Sequence, residues 1–228
     1  MWRAALVWLL STSGIPAPET IDGALAIEQR GDDAGAVAAL ERLIGYRPAF
    51  ALARLEAARL YLKTENSLTR AEGHLEAART LTPEDARAHY LWALVMEGRG
   101  RPDEALRSLN LAVQLRPEFP EAQSKLGAAY AGRSDWPQAE VHFRAFAQQQ
   151  PESIQARIQL AEVLVRQSRW EDAEEELRVA LKAQPHSALL ATRLSEVYEL
   201  AGRTKEAAQL RASQASVRKL RPLPKSRQ

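Results

Sequence analysis

The residues whose types could do chemistry are four histidines, His74, His89, His142 and His186, and one carboxylate run, Glu174-Glu175-Glu176. A helix can hold a metal between imidazoles or carboxylates three or four residues apart, as in HExxH. None of these histidines has a second ligand at i+3 or i+4. His74 and His142 occupy the same place in a repeat set out below, but two repeats apart, so exposed surface positions are expected rather than a shared metal. Three consecutive carboxylates point in different directions around a helix, and Glu174–Glu176 reads as a solvated face. Trp136 and Trp170 also share one place and read as packing residues. The chain has no glycine-rich phosphate loop and no nucleophile elbow. It has no cysteine, so disulfides, thiolate metal sites and a thiol nucleophile are excluded. The expectation is a protein without catalytic residues, metal or cofactor.

The elements that carry these side chains follow from composition and period. The chain has 228 residues, 31 Lys+Arg against 29 Asp+Glu, and 11 glycines with 12 prolines. That describes a helix-rich, ordered chain with no strong field for nucleic acid. Prolines at Pro48, Pro83, Pro117, Pro151 and Pro185 are 35, 34, 34 and 34 residues apart. Alanines at Ala36, Ala71, Ala105, Ala139, Ala173 and Ala207 keep step with them. A third series, Ala24, Ala58, Ala93, Gly127, Ala161 and Ser195, contains only small residues in the same phase. Repetition near 34 residues with two amphipathic segments per unit is the sequence signature of an α-solenoid.

The positions that repeat are the ones the packing requires. Two antiparallel helices approach closely only where neither presents a bulky side chain, which suits the small residue of the first helix and the alanine of the second. Larger apolar residues flank the crossing at helical spacing, Leu126 and Tyr130 with Phe143, or Leu160 and Leu164 with Leu177. The proline is expected to end one unit and open the next. Ser168-Arg169-Trp170-Glu171 and Thr82-Pro83-Glu84-Asp85 read as capping boxes.

With Leu126, Gly127, Tyr130, Ala139, Phe143 and Pro151 in one unit, the pattern resembles the tetratricopeptide repeat. Trp92, Ala93, Ala105, Leu109, Ala112 and Pro117 repeat it upstream, and Leu160, Ala161, Ala173, Leu177 and Ala180 downstream. Phe146 departs from the family's small residue, and Gly23 from its large one. The resemblance implies an all-α solenoid of about six helix-turn-helix units forming a right-handed superhelix. The units fall near residues 17–50, 51–85, 86–119, 120–153, 154–187 and 188–221. The unit from Ala51 has one extra residue, placed in the Lys63–Leu68 turn. In the last unit Arg211, Gln214 and Lys219 replace apolar or proline positions, so Thr204 to Leu220 reads as a polar capping helix. Residues 1–16 form a leader: the Ala4–Leu10 run is too short to span a bilayer but matches a short secretory signal, against an extra apolar turn. Export is the expectation drawn from it. Residues 222–228 form a basic tail, read as a solvated end.

In stacks of this family the first helices line a concave face where partners bind. The resemblance therefore assigns a groove to Leu55, Arg59, Leu62, Arg87, Tyr90, Leu91, Leu94, Lys125, Gln159 and Arg193, with Ser124, Ala128, Ile158, Glu162 and Glu196 beside them. The Leu55–Leu94 side is apolar and is the expected binding strip. The two asparagines with which chaperone-binding members clamp a terminal carboxylate are missing, since Asn66 and Asn110 lie outside the first helices. The expected function is an interaction scaffold for a protein or peptide partner, with single-stranded RNA binding or the regulatory arm of a larger enzyme as alternatives.

Overall fold

The computed structural model describes residues 20–64 and 67–220; the leader, the Glu65–Asn66 part of the second unit's turn and the basic tail lie outside the described residues. Among the described residues there are twelve helices and no strand. They are α1 Ile21–Gln29, α2 Asp33–Tyr46, α3 Ala51–Thr64, α4 Leu68–Leu81, α5 Ala86–Gly98 and α6 Pro102–Leu115, then α7 Pro120–Gly132, α8 Trp136–Gln149, α9 Ile154–Arg166, α10 Trp170–Ala183, α11 Ala188–Leu200 and α12 Thr204–Leu220. The chain divides after Pro117 into two compact units. Within each unit, consecutive helices pack in pairs and each pair packs on the next.

The small-residue series lies at the crossings. Ala24, Ala58, Ala93, Gly127, Ala161 and Ser195 are all buried, as are Ala36, Ala71, Ala105, Ala139, Ala173 and Ala207 opposite them. In the second unit Leu160, Leu164 and Leu177 join Phe143, Leu190 and Leu194 in one apolar core, with Tyr130, Trp136 and Trp170 half-buried against it. Gly127 has a particular cause. A Cβ there would stand 2.8 Å from the Phe143 ring. The sites facing Ala93 and Ala161 carry leucine instead, Leu109 and Leu177, so only the aromatic ring demands glycine.

The turns within five of the six pairs are closed by one repeated device. Gly31, Gly100, Ser134, Ser168 and Gly202 have left-handed backbone, with φ of 86°, 71°, 60°, 58° and 77°. The next residue donates its N–H five residues back, as Asp135 does to Tyr130 and Arg169 to Leu164. This is the Schellman closure, which satisfies the last carbonyls of the first helix. It corrects the capping-box reading of Ser168: α10 begins at Trp170, Arg169 is its N-cap, and no side chain caps it. Serine is strained where glycine is not. Ser134→Gly and Ser168→Gly should each raise stability by about 0.5–1 kcal/mol, read as a higher urea midpoint at unchanged slope; a lower midpoint would refute the strain.

The turns between pairs correct two more expectations. The periodic prolines stand between helices, and the next helix opens three residues later. Thr82 is the C-cap of α4, its hydroxyl donating to the Ala78 carbonyl, while Asp85 caps α5 by accepting from Arg87 N–H at 2.9 Å. At Pro48, Pro83 and Pro151 the carbonyl is taken by a side chain six residues on: Arg54 Nε to Pro48 at 2.7 Å, His89 Nε2 to Pro83 at 2.7 Å, and Arg157 to Pro151 at 3.2 Å. That contact explains why His89 is buried. The extra residue of the repeat spanning 51–85 is taken up by α3 itself, which at 14 residues is one longer than α5, α7, α9 and α11.

Three of the four histidines and two of the three carboxylates have packing roles, while His186 and Glu175 are exposed. His74 stacks on Tyr61 with centroids 5.7 Å apart, and His142 on Tyr130 at 5.5 Å. Neither is the exposed residue its position suggested. His142 also places Nδ1 2.8 Å from Gln123 Oε1, and burial pushes its pKa down. Glu174 is 6% exposed, so the solvated reading fails for it. It accepts from Tyr198 at 3.1 Å, from Arg178 at 2.8 Å, and from Arg203. Glu176 pairs with Arg157 at 2.7 Å, and only Glu175 of the three is exposed. One repeat earlier Glu140 takes the same role toward Arg144 and Arg169. Among the described residues no group of three potential ligands could hold a metal ion, and no helix is long and apolar enough to cross a membrane.

Candidate functional site

The faces of the first helices differ between the two units. In the first unit α1, α3 and α5 lie in order. Leu55 and Leu91 are 3% and 8% exposed and belong to the core, so they offer a partner almost nothing. Leu62, Tyr90 and Leu94 are half-buried. Arg59 reaches back to α1 and donates to both carboxylate oxygens of Glu28, at 3.0 and 2.5 Å, and to Glu56 at 2.7 Å. Lys63 adds a contact to Glu28 at 2.9 Å. These cations hold the Glu28 carboxyl at about 2, far below the ordinary carboxylate range, with the Arg59 hydrogen bond the largest cause. Arg87 pairs with its own helix cap, Asp85, at 2.8 Å. The strip expected from the sequence is thus narrowed, with Leu55 and Leu91 in the core, Leu62, Tyr90 and Leu94 half-buried, and Arg59 and Arg87 held by neighbouring carboxylates.

The second unit is more open. α7, α9 and α11 present a cleft of about 660 Å³. Its apolar wall includes Ala128, Ala131, Trp136, Ile158, Val165 and Leu200, and its polar members are Gln159, Glu162, Arg166, Arg193 and Glu196. The cleft exists because α7 carries only alanine at 128 and 131, whereas α9 carries Glu162 and Val165 at the corresponding places. Ala128 and Leu200 are exposed, Leu200 at 56%. Arg193 is shared between Glu162 at 3.2 Å and Glu196 at 3.5 Å. Gln159 accepts from the Ser124 hydroxyl at 3.1 Å, and Lys125 is half-buried on the same helix as Ser124. Arg166 lies over the Trp136 ring, 5.8 Å from its centroid, within the range of a cation–π contact.

Of the ten groove residues expected from the sequence, the structure brings Gln159 and Arg193 together in this cleft. Trp136, Val165, Arg166 and Leu200 were missed. Trp136 was read as packing, and it does pack on the core with one face, but the other lines the cleft. The signal available was the small pair Ala128 and Ala131, which marks a gap in an otherwise filled face.

The chemistry the cleft offers is apolar contact and paired charge. Its titratable groups are two arginines and two half-exposed glutamates engaged with Arg193, with no histidine, hydroxyl nucleophile or metal ligand set among its lining residues. An apolar wall with a few polar groups at the rim is the usual make-up of a docking surface.

Comparison with known proteins matches this architecture. Two family models, both described as tetratricopeptide repeat, match residues 130–191, and residues 55–118 and 90–154. No curated protein is matched by the sequence. Among solved structures, pilF of Pseudomonas aeruginosa superposes with a TM-score of 0.71 at 18% identity, covering 86% of this chain and 89% of that one. MamA from Desulfovibrio magneticus RS-1 gives 0.65 at 16% identity, covering 76% and 97%. YrrB, a tetratricopeptide protein described as having an unusual peptide-binding site, gives 0.59 at 24% identity, covering 75% and 87%. At such identities the likeness concerns the fold, a helical solenoid. The family models supply the rest, running from residue 55 to 191, more than half of the chain: it belongs to the tetratricopeptide repeat family.

Proposed function

We propose that this protein is a non-catalytic scaffold that docks a helix or extended segment of a partner protein on the first-helix face of its second unit. The tetratricopeptide fold is in general a protein–protein interaction scaffold, and the structurally similar YrrB carries a peptide-binding site by its description. The observation that carries the reading here is the cleft opened by Ala128 and Ala131, with an apolar wall and polar rim. Burying an apolar segment there releases water from Trp136, Val165 and Leu200, while Gln159 and the rim charges fix its register. In the first unit, Leu62, Tyr90 and Leu94 offer a smaller apolar patch. RNA binding is disfavoured, because most arginines of the first-helix faces are already held by carboxylates.

A random displayed peptide library panned against the full chain tests the reading. Selected peptides should be apolar in their centre and should lose binding to Ala128→Phe, which fills the cleft from an exposed position. Helicity and melting temperature should be unchanged in that variant. Peptides that bind Ala128→Phe as well as the natural protein would place docking elsewhere.

A further inference from the structure

We infer that the cleft of the second unit selects a segment in which a single carboxylate flanks the apolar side chains, at the end marked by Trp136 and Arg166; this rests on the docking reading above. Arg166 is the distinguishing group. Among the described residues it makes no ion pair and no hydrogen bond, and its one polar contact is with the face of Trp136. Its neighbours in the unit are differently placed: Arg144, Arg157, Arg169 and Arg193 each hold a carboxylate. Gly132 and Leu200 stand at the corresponding places of α7 and α11, so within this unit the cation occurs in one repeat only.

The geometry suits a carboxylate. A guanidinium lying on an aromatic face keeps its N–H donors at the edge, where they match the two oxygens of a carboxylate. The Trp136 ring beside it extends the apolar wall, so an occupant can bury a side chain and pair a charge within neighbouring residues. The other end has the opposite preference. Arg193 stands between Glu162 and Glu196, which leaves one negative charge in excess. A second carboxylate there would be repelled, and polyacidic segments are excluded as firmly as basic ones at Arg166.

Panning the same displayed library against the natural protein and against Arg166→Glu tests this separately from docking itself. Peptides taken by the natural protein should carry one Asp or Glu beside an apolar centre. Their amide copies, Asn or Gln for the acid, should bind about tenfold more weakly. Arg166→Glu should keep the apolar centre but exchange the acid for Lys or Arg. Apolar peptides without an acidic preference, selected equally by both proteins and lost with Ala128→Phe, would overturn the charge selection while leaving the docking site standing. Selection of no cleft-dependent peptide would overturn both. Self-association of the natural chain in sedimentation, abolished by Ala128→Phe, would assign the cleft to a second copy and refute a peptide-like acidic occupant.

Discussion

Replacing Gly127 with alanine should lower the stability of the second unit by about 1–3 kcal/mol, and Phe143→Leu in the same chain should restore most of it. The added Cβ would stand 2.8 Å from two atoms of the Phe143 ring, and that ring is only 3% exposed. The ring cannot swing out of the way, because it belongs to the core that joins α8 to α9 and α10. Phe143→Leu alone should also destabilise, by leaving part of a cavity. The double variant recreates the Ala–Leu pairing already used at Ala93 with Leu109 and Ala161 with Leu177, all buried. Urea unfolding of the four proteins forms a double-mutant cycle. Additive effects would show that the two positions do not meet and that the phase of the repeat is wrong.

The second large effect concerns Glu174. Glu174→Ala removes the shared acceptor of Tyr198, Arg178 and Arg203 and leaves the Tyr198 hydroxyl without it in a buried setting. The two arginines are 59% and 35% exposed at the side chain and can recover water, so the full cost of a stranded buried charge does not apply. A loss of about 1–3 kcal/mol is expected, in the range of hydrogen bonds to charged groups. Glu175→Ala, one residue on and exposed, should stay within about 0.5 kcal/mol of the natural protein. Equal effects at the two positions would mean that the carboxylate run is a solvated face after all.

Arg211 follows the same pairing logic as Gly127 and Phe143. It stands opposite Ser195 where other pairs place leucine or phenylalanine, and its Nε donates to the serine hydroxyl at 3.1 Å while Nη1 reaches Glu199 at 2.6 Å. A polar exchange at the crossing of the last described helix pair therefore retains a specific contact. The Glu199 carboxyl is held below its ordinary range by that arginine. Position 127, facing phenylalanine, takes glycine; position 161, facing leucine, takes alanine; position 195, facing arginine, takes serine. The residue in one helix is chosen by the residue in the other.

The sequence by itself determined the helix pairs, their phase and the residues at their crossings. Small side chains, alanines and prolines in one 34-residue period leave a single way to bring two amphipathic helices together, and burial of every member of the small and alanine series follows from it. Local patterns were less decisive. Ser168-Arg169-Trp170-Glu171 has the form of a capping box, yet the same serine serves better as the left-handed residue that closes the preceding helix, and the chain uses it there. The groove was legible as a face but not as a site. Leu55 and Leu91 lie in the right helices, and only the packing of neighbouring helices turned them inward. Arg59 and Arg193 looked available until the structure brought Glu28 and Glu162, each 31 residues earlier, within reach. The cleft beside Trp136 depends on the space left by two alanines between three helices, a quantity of three-dimensional packing that no single helix records.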